Sequence, residues 1–135
     1  MEKIGMTARV SAFARAHHAR NRDCVYCDPL AEKLLSPSEL EEIESSMAQG
    51  INFFCPGFQG TPEEGLRWIV EHQLAPSPLG RAAFAESALE QFGAAQYLIL
   101  AAGLDSFGLR QPDWAWSMEI FELDLPGPSR DKGQA

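Results

Sequence analysis

Two runs of apolar residues near the end of the chain give the clearest signal in its hydrophobic pattern. Residues 97–102 form a continuous apolar run, which is typical of a strand buried on both faces of a parallel sheet. A turn of small residues centred on Gly103 follows. Residues 120–124 form a second run that ends in carboxylates, about 20 residues further on. The pattern predicts two parallel strands joined by a short crossover.

The earlier part of the chain has the periodicity of helices. A helix over residues 7–21 has basic residues on one face and four residues on its apolar face: Val10, Phe13, Ala14 and His17. Ser36 and Thr61 each begin a capping box with proline at the first helical position. These boxes predict helices that end at about residues 49 and 74.

Three further segments complete this prediction. Asp28 is the predicted N-cap of a short helix that ends at residue 35, with Pro29 at its first position. Residues 77–80 lead into a helix that ends at about residue 91. Between them, residues 50–60 read as an aromatic loop.

The turn after the first strand indicates which cofactor it would bind. The dinucleotide fingerprint needs three glycines to hold a pyrophosphate, and only Gly103 fits it. Asp105 would repel a phosphate and attract an ammonium group. Asp124, at the end of the second strand, is placed to bind a ribose hydroxyl, and Glu122 is a second acidic candidate on the same strand. A cofactor with a nucleoside, a cationic headgroup and no phosphate is S-adenosyl-L-methionine.

Several segments resemble one family. Residues 96–106, Q-Y-L-I-L-A-A-G-L-D-S, and residues 121–126, F-E-L-D-L-P, are similar to the first two strands of the leucine carboxyl methyltransferase-like group of S-adenosylmethionine-dependent methyltransferases. Upstream, residues 28–35, D-P-L-A-E-K-L-L, and residues 80–84, G-R-A-A-F, resemble its N-terminal segments. The resemblance spans almost the whole chain.

The resemblance implies an α/β fold: N-terminal helices followed by the first strands of a Rossmann-like parallel sheet, truncated. We expect a helical cap region over residues 1–95 and the start of the S-adenosylmethionine-binding domain over residues 96–135. Two strands make a poor sheet, so we expect its burial to be incomplete. The chain is therefore expected to be a fragment that is not active alone.

The resemblance also implies site residues and a reaction. Arg81 would bind the methionine carboxylate, and Ala101, where the family has glycine, would narrow the space beside the cofactor. Gly103, Asp105, Glu122 and Asp124 complete the expected cofactor site. The implied reaction is methyl transfer to an oxygen of a carboxylate or of another small-molecule or protein acceptor.

Each of these residues also has a purely structural interpretation, which the sequence leaves open. Arg81 could be a surface cation on a helix, and Gly103 could merely turn the chain. Asp105 could cap the following turn, and Asp124 could be a solvated strand end.

Charge and composition narrow the partners. Eleven Lys and Arg against nineteen Asp and Glu give a formal net charge of −8, which disfavours nucleic acid. No run of about 18 apolar residues predicts a membrane span, and the N-terminus lacks a secretory signal, so we expect a cytoplasmic protein. Cys24 and Cys27, near His17 and His18, have zinc-like spacing, but a single C-x-x-C favours thiols without a metal.

The sequence leaves two other functions open. A nonenzymatic remnant could pair with another chain, or with itself, through an exposed sheet edge. A nicotinamide-dependent oxidoreductase is less well supported, because the glycines that hold a pyrophosphate are missing and Asp105 would repel it.

Overall fold

The computed structural model describes residues 4–125 of the 135-residue chain. Helices occupy the first part of this range, and a parallel pair of strands occupies the last part. Its α-helices and strands are α1 (Met6–Ala19), α2 (Pro37–Gln49), α3 (Ile51–Phe54), α4 (Pro62–Ile69), α5 (Pro76–Phe92), β1 (Gln96–Leu100), α6 (Phe107–Arg110) and β2 (Glu119–Leu123). The predicted α/β, Rossmann-like class is confirmed. Pro126 and the rest of the segment 126–135 lie outside the described residues.

Both predicted capping boxes are present. The Ser36 hydroxyl accepts the Glu39 N–H at 3.3 Å, and the Glu39 carboxylate accepts the Ser36 N–H at 2.9 Å. Thr61 and Glu64 form the same reciprocal pair at 3.2 and 2.8 Å. Each box supplies partners for N–H groups that the first helical turn leaves free. Helix α4, which the Thr61 box begins, continues as a π-helical turn, Val70–Leu74. The predicted end of this helical segment at about residue 74 is therefore also confirmed.

Helix α5 begins earlier than predicted. Pro76 is its first residue, so residues 77–80 already lie within the helix. Proline is tolerated there, because the first N–H groups of a helix have no intrahelical partner. Gly93 ends the helix in the left-handed conformation, with φ of 66°.

Two local predictions need correction. Asp28 does not cap a helix: the short 3-10 helix Ala31–Leu34 has Leu30 at its N-cap, and Asp28 is fully buried. The predicted aromatic loop contains the four-residue helix α3.

The buried face of α1 is wider than its periodicity predicts. Arg15 and His18 are buried, at 7% and 8% exposure, whereas His17 is half-buried. The sequence placed the basic residues on the face opposite the apolar one, but two of them, Arg15 and His18, are buried. The polar groups lie inside because carboxylates meet them there: Asp28 pairs with Arg15, and Glu71 pairs with His18.

A hydrophobic core joins the helices. Helix α1 contacts α2, α5, the 3-10 helix and the π-helical turn, and thus lies at the centre of the helical region. The core contains Ala12, Phe13, Ala14, Leu34, Leu35, Ile43, Leu66, Val70, Ala75, Leu79 and Leu104. Since Leu104 follows β1, the core extends from the helices to the turn at the end of that strand.

The strands β1 and β2 are parallel, in a register that pairs Gln96 with Glu119 and Leu100 with Leu123. The crossover between them contains α6 and a 3-10 helix, Asp113–Ala115. A second hydrophobic cluster packs around this crossover: Ile99, Ala102, Phe107, Ala115 and Met118.

The opposite face of the strand pair is open. Leu98, Leu100, Phe121 and Leu123 are 55%, 65%, 50% and 63% exposed. The prediction that β1 is buried on both faces is therefore wrong within the described residues, because the crossover covers one face only. The expectation of an incompletely buried sheet is confirmed. No helix within residues 4–125 is long and apolar enough to span a bilayer.

Candidate functional site

The ends of β1 and β2 meet at two of the predicted cofactor residues. The Gly103 N–H donates to Asp124 Oδ2 at 2.5 Å, and Asp124 Oδ1 accepts the Leu125 N–H at 2.7 Å. Gly103 has a φ of 50°, which favours glycine. The fold thus places the carboxylate of the second strand directly against the turn after the first. We call residues 101–107 the β1 turn.

Ala101 begins the β1 turn in a left-handed conformation. Its φ is 52°, and its side chain is exposed. A β-carbon is disfavoured at this φ, because it crowds the backbone. The position therefore suits the glycine that the family resemblance leads us to expect there.

Asp105 bonds to the first residue of α6, a helix whose N-cap position is occupied by Ser106. Its Oδ1 accepts the Phe107 N–H at 2.8 Å, and its own N–H donates to the Ala102 carbonyl at 2.8 Å. The structure thus shows the capping interaction that was the alternative interpretation of this residue. Binding of a cofactor ammonium group by the same carboxylate stays a prediction.

Glu122 lies on β2 beside the crossover helix. The side chain is exposed, and a β-carbon added at Gly108 of α6 would lie 3.2 Å from Glu122 Oε1. The structure therefore brings Glu122 to α6, while Asp124 lies against Gly103.

Arg81 lies apart from these contacts. It is exposed on α5, and its side chain forms no hydrogen bond or ion pair with another residue in the described part of the chain. Its predicted role as a ligand of the methionine carboxylate stays a prediction.

A buried polar cluster that the sequence did not predict lies behind the β1 turn. Arg15 Nη1 donates to Asp28 Oδ2 at 2.6 Å and to Ser106 Oγ at 3.2 Å, and Arg15 Nη2 donates to the Leu104 carbonyl at 2.5 Å. The Ser106 hydroxyl also donates to Asp28 Oδ2, at 2.5 Å. Asp28 and Ser106 are 0% and 1% exposed. These side chains connect α1 to the β1 turn.

A second polar group continues from this cluster. Arg110 Nη2 donates to Glu86 Oε1 and to the Tyr26 hydroxyl, each at 2.5 Å, and the Tyr26 hydroxyl donates to Glu86. Burial raises the pKa of Tyr26, and the hydrogen bond to Glu86 raises it further. Burial alone would lower the pKa of Arg110, but Glu86, Tyr26 and Asp28 outweigh it, so that pKa is raised. Both groups stay protonated at neutral pH.

The sequence contains one weak signal for the buried cluster. Arg15 interrupts the small and apolar run of residues 12–16. Its partners Asp28, Leu104 and Ser106 are 13 to 91 positions away. No helix or strand period relates residues so far apart, so only tertiary packing shows that they meet.

Cys24 and Cys27 form a disulfide, with their Cα atoms 5.6 Å apart. The expectation of two thiols is therefore wrong. His18 Nδ1 pairs with Glu71 at 2.9 Å, and its Nε2 accepts the Val25 N–H at 3.3 Å. Within residues 4–125, no group of three or more His, Cys, Asp or Glu side chains could hold a metal ion.

Parallel strands with a crossover between them, a glycine turn after the first and a carboxylate after the second define the Rossmann-like class of cofactor-binding folds. The family model described as leucine carboxyl methyltransferase matches residues 8–134. This chain therefore belongs to the leucine carboxyl methyltransferase family.

Its curated relatives carry consistent names. A Bacillus subtilis protein named "Putative S-adenosyl-L-methionine-dependent methyltransferase YktD" is 38% identical over 94% of this chain and 44% of its own length. Proteins with the same descriptive name from Mycolicibacterium gilvum and Mycobacterium tuberculosis are 34% and 32% identical, over 91% of this chain in each case and 39% and 38% of their own lengths. The chain thus spans less than half the length of these relatives.

Proposed function

We propose that this chain forms the first part of an S-adenosyl-L-methionine-dependent O-methyltransferase, and that its β1 turn and Asp124 hold the cofactor. The contact between Gly103 and Asp124 carries this proposal, because it joins the ends of two parallel strands. Nucleoside cofactors bind at this edge of Rossmann-like sheets. Family membership and the names of the relatives support the same assignment.

The residues present fit such a cofactor. A carboxylate has about four lone-pair sites, and hydrogen bonds to the Gly103 and Leu125 N–H groups use two of those on Asp124. Ribose hydroxyls can donate to the others. Gly103 allows close approach of the backbone, and Asp105 supplies negative charge near an ammonium group. Arg81 would hold the methionine carboxylate, with Ala101 and Glu122 at the edges of the site.

Methyl transfer of this kind requires only that this part of the protein bind and orient the cofactor. When bound, the cofactor would supply an electrophilic methyl group for transfer to an acceptor oxygen. The residues named above bind and orient it, and orientation is a large part of the catalysis of a transfer between two reactants. The proposed acceptor is a carboxylate or another oxygen of a small molecule or protein. A net charge of −8 disfavours nucleic acid.

Titration calorimetry with S-adenosylhomocysteine tests the proposal. We expect saturable binding that Asp124→Ala weakens about tenfold or more, by loss of a charge-assisted hydrogen bond. Glu119→Ala is the matched control: this glutamate is exposed at the opposite end of β2, and its carboxylate accepts a hydrogen bond from Gln96 at 2.7 Å. That variant should bind like the original chain.

Two further titrations make the result decisive. NADH should not bind, since one glycine and Asp105 cannot hold a pyrophosphate. If the 135-residue chain is folded but does not bind, the titration is repeated on a chimera completed with the remaining part of the Bacillus subtilis relative. Absence of binding by both proteins, or equal binding by the Asp124 and Glu119 variants, would contradict the proposal.

The open sheet face favours a second candidate function, a module that pairs with another chain. Its four apolar side chains are all at least half exposed. This function does not exclude cofactor binding, because the open face and the strand ends are different surfaces.

A further inference from the structure

We propose that Arg15 is a positioning residue, which fixes the conformation of the β1 turn from the centre of the helical region. The inference rests on the proposed function, in which this turn binds S-adenosyl-L-methionine. Arg15 would act through the backbone of the turn and not by touching the cofactor.

The guanidinium of Arg15 donates hydrogen bonds to three groups. Its Nη2 donates to the carbonyl of Leu104, and its Nη1 donates to Ser106 Oγ and to Asp28 Oδ2. Leu104 and Ser106 lie on either side of Asp105, so Arg15 is hydrogen-bonded to the turn both before and after that residue. Asp28 compensates the buried charge.

The hydrogen bond to Leu104 orients a whole peptide group. The Leu104 carbonyl and the Asp105 N–H belong to the same planar unit. Arg15 holds the carbonyl, and the Ala102 carbonyl accepts the N–H at 2.8 Å. Because both ends of this peptide group are hydrogen-bonded, its plane is held in one orientation. That orientation sets the direction in which the Asp105 side chain points.

Neighbouring bonds extend this order along the turn. The Gly103 N–H is held by Asp124, and the Phe107 N–H is held by Asp105. These two amides therefore report on the geometry at each end of the turn. Both depend on the intervening peptides, which Arg15 and Ser106 connect to Asp28.

A lysine could not replace this arginine. The planar guanidinium presents several N–H donors in a fixed fork, whereas an ammonium is a single point of charge. Lysine at position 15 could pair with Asp28 but could not also occupy the position of Nη2 at the Leu104 carbonyl. Arg15→Lys therefore keeps the buried ion pair and removes the hydrogen bond to the Leu104 carbonyl.

Amide hydrogen exchange measured by NMR tests the role directly. In Arg15→Lys, we expect exchange of the Gly103 and Phe107 amides to accelerate about tenfold or more relative to the amides of α2, which do not depend on the turn. Arg9→Lys makes the same chemical change on the same helix, at an arginine that pairs with Glu39 and Glu42 at 3.7 and 3.8 Å. That control should leave the ratio unchanged.

A milder variant covers the case in which Arg15→Lys does not fold. Ser106→Ala removes the hydroxyl that links Asp28 and Arg15 to the turn, and it leaves the buried ion pair in place. It should produce the same selective acceleration, to a smaller extent. Exchange at Gly103 and Phe107 that rises only in step with α2 in both variants would show a purely structural role and would overturn the inference.

Binding adds an independent result. S-adenosylhomocysteine should bind Arg15→Lys about tenfold more weakly than the original chain, and Arg9→Lys with unchanged affinity. If neither the original chain nor its completed chimera binds, the proposed function fails. The exchange ratio still decides whether Arg15 orders the turn.

Discussion

At the scale of single residues, Ala101 is one of two non-glycine residues in the described part of the chain whose φ is positive; the other is Gln111. The φ of 52° at Ala101 lies in the left-handed region, where an L-residue with a β-carbon is strained by about 1–2 kcal/mol. Nearby Gly103, with φ of 50°, meets the same requirement without strain. The two positions show why a turn of this shape favours glycine at both.

Ala101→Gly should therefore stabilise the fold. Relief of strain is partly offset by the greater freedom of glycine in the unfolded chain, so we expect a gain of about 0.5–1 kcal/mol in the free energy of unfolding. Urea denaturation measures it. Ala102→Gly is the control: Ala102 is buried and has no positive φ, so this change should lower stability by about 0.5–1 kcal/mol. A loss of stability in both variants would show that Ala101 is not strained.

The two tyrosines predict the response of the fold to alkali. Burial raises the pKa of both Tyr26 and Tyr97, with the larger effect at Tyr26. Above pH 10, their usual value, the unfolded chain loses phenolic protons that the folded chain keeps. Stability should consequently fall as the pH rises above 10.

Unfolding by urea at a series of alkaline pH values checks this prediction. Tyr26→Phe should flatten the decline more than Tyr97→Phe, because the shift in pKa is larger at Tyr26. An equal decline in the original chain and in Tyr26→Phe would mean that the Tyr26 hydroxyl is accessible to solvent.

At the scale of elements, the segment between α1 and the first 3-10 helix connects the helical region to the β1 turn. Tyr26 within this segment bonds Glu86 of α5, and Asp28 bonds Arg15 of α1 and Ser106 of the turn. A disulfide between Cys24 and Cys27 closes a short covalent ring that includes Tyr26. The covalent ring and the buried polar cluster thus lie next to each other.

The disulfide predicts a definite thiol count. Without a reductant, the denatured chain should expose one thiol, that of Cys55, and after reduction it should expose all three. Replacing Cys24 and Cys27 by serine should lower the free energy of unfolding by about 2 kcal/mol, from the closure entropy of a four-residue loop. Cys55→Ser should have little effect. Three thiols without a reductant would contradict the pairing.

At the scale of the whole molecule, the open face of the strand pair is the main departure from a closed globular surface. Parallel sheets are usually covered on both faces. Here helices and the crossover supply one cover, and four apolar side chains of β1 and β2 face away from it. An apolar patch of this kind is typical of surfaces that another polypeptide, or a second copy of the chain, covers.

Sedimentation equilibrium measures that association. We expect concentration-dependent self-association of the original chain, which the double variant Leu98→Lys and Phe121→Lys should suppress at little cost in stability, since both residues are at least half exposed. Val25→Lys is the control, because Val25 is 92% exposed outside the strands. Association that the double variant leaves unchanged would place the contact elsewhere.

Much of the local structure could be predicted from the sequence. The capping boxes at Ser36 and Thr61 were predicted correctly because their partners lie three residues apart. The parallel strands and the meeting of Gly103 with Asp124 follow from apolar runs of strand length and from their order. The roles in cofactor binding of all six candidate residues remain predictions: Arg81, Ala101, Gly103, Asp105, Glu122 and Asp124.

The sequence by itself determined the two capping boxes, the order of helices and strands, the α/β class and the family, because these depend on residues that are near one another in the chain. Only the tertiary structure decided whether isolated polar residues are exposed or buried. Arg15 was expected on the basic face of α1 and Asp28 at a helix start, yet both are buried together with Ser106. Burial of a charge is tolerable only beside a compensating group. Which group that is depends on how distant segments pack.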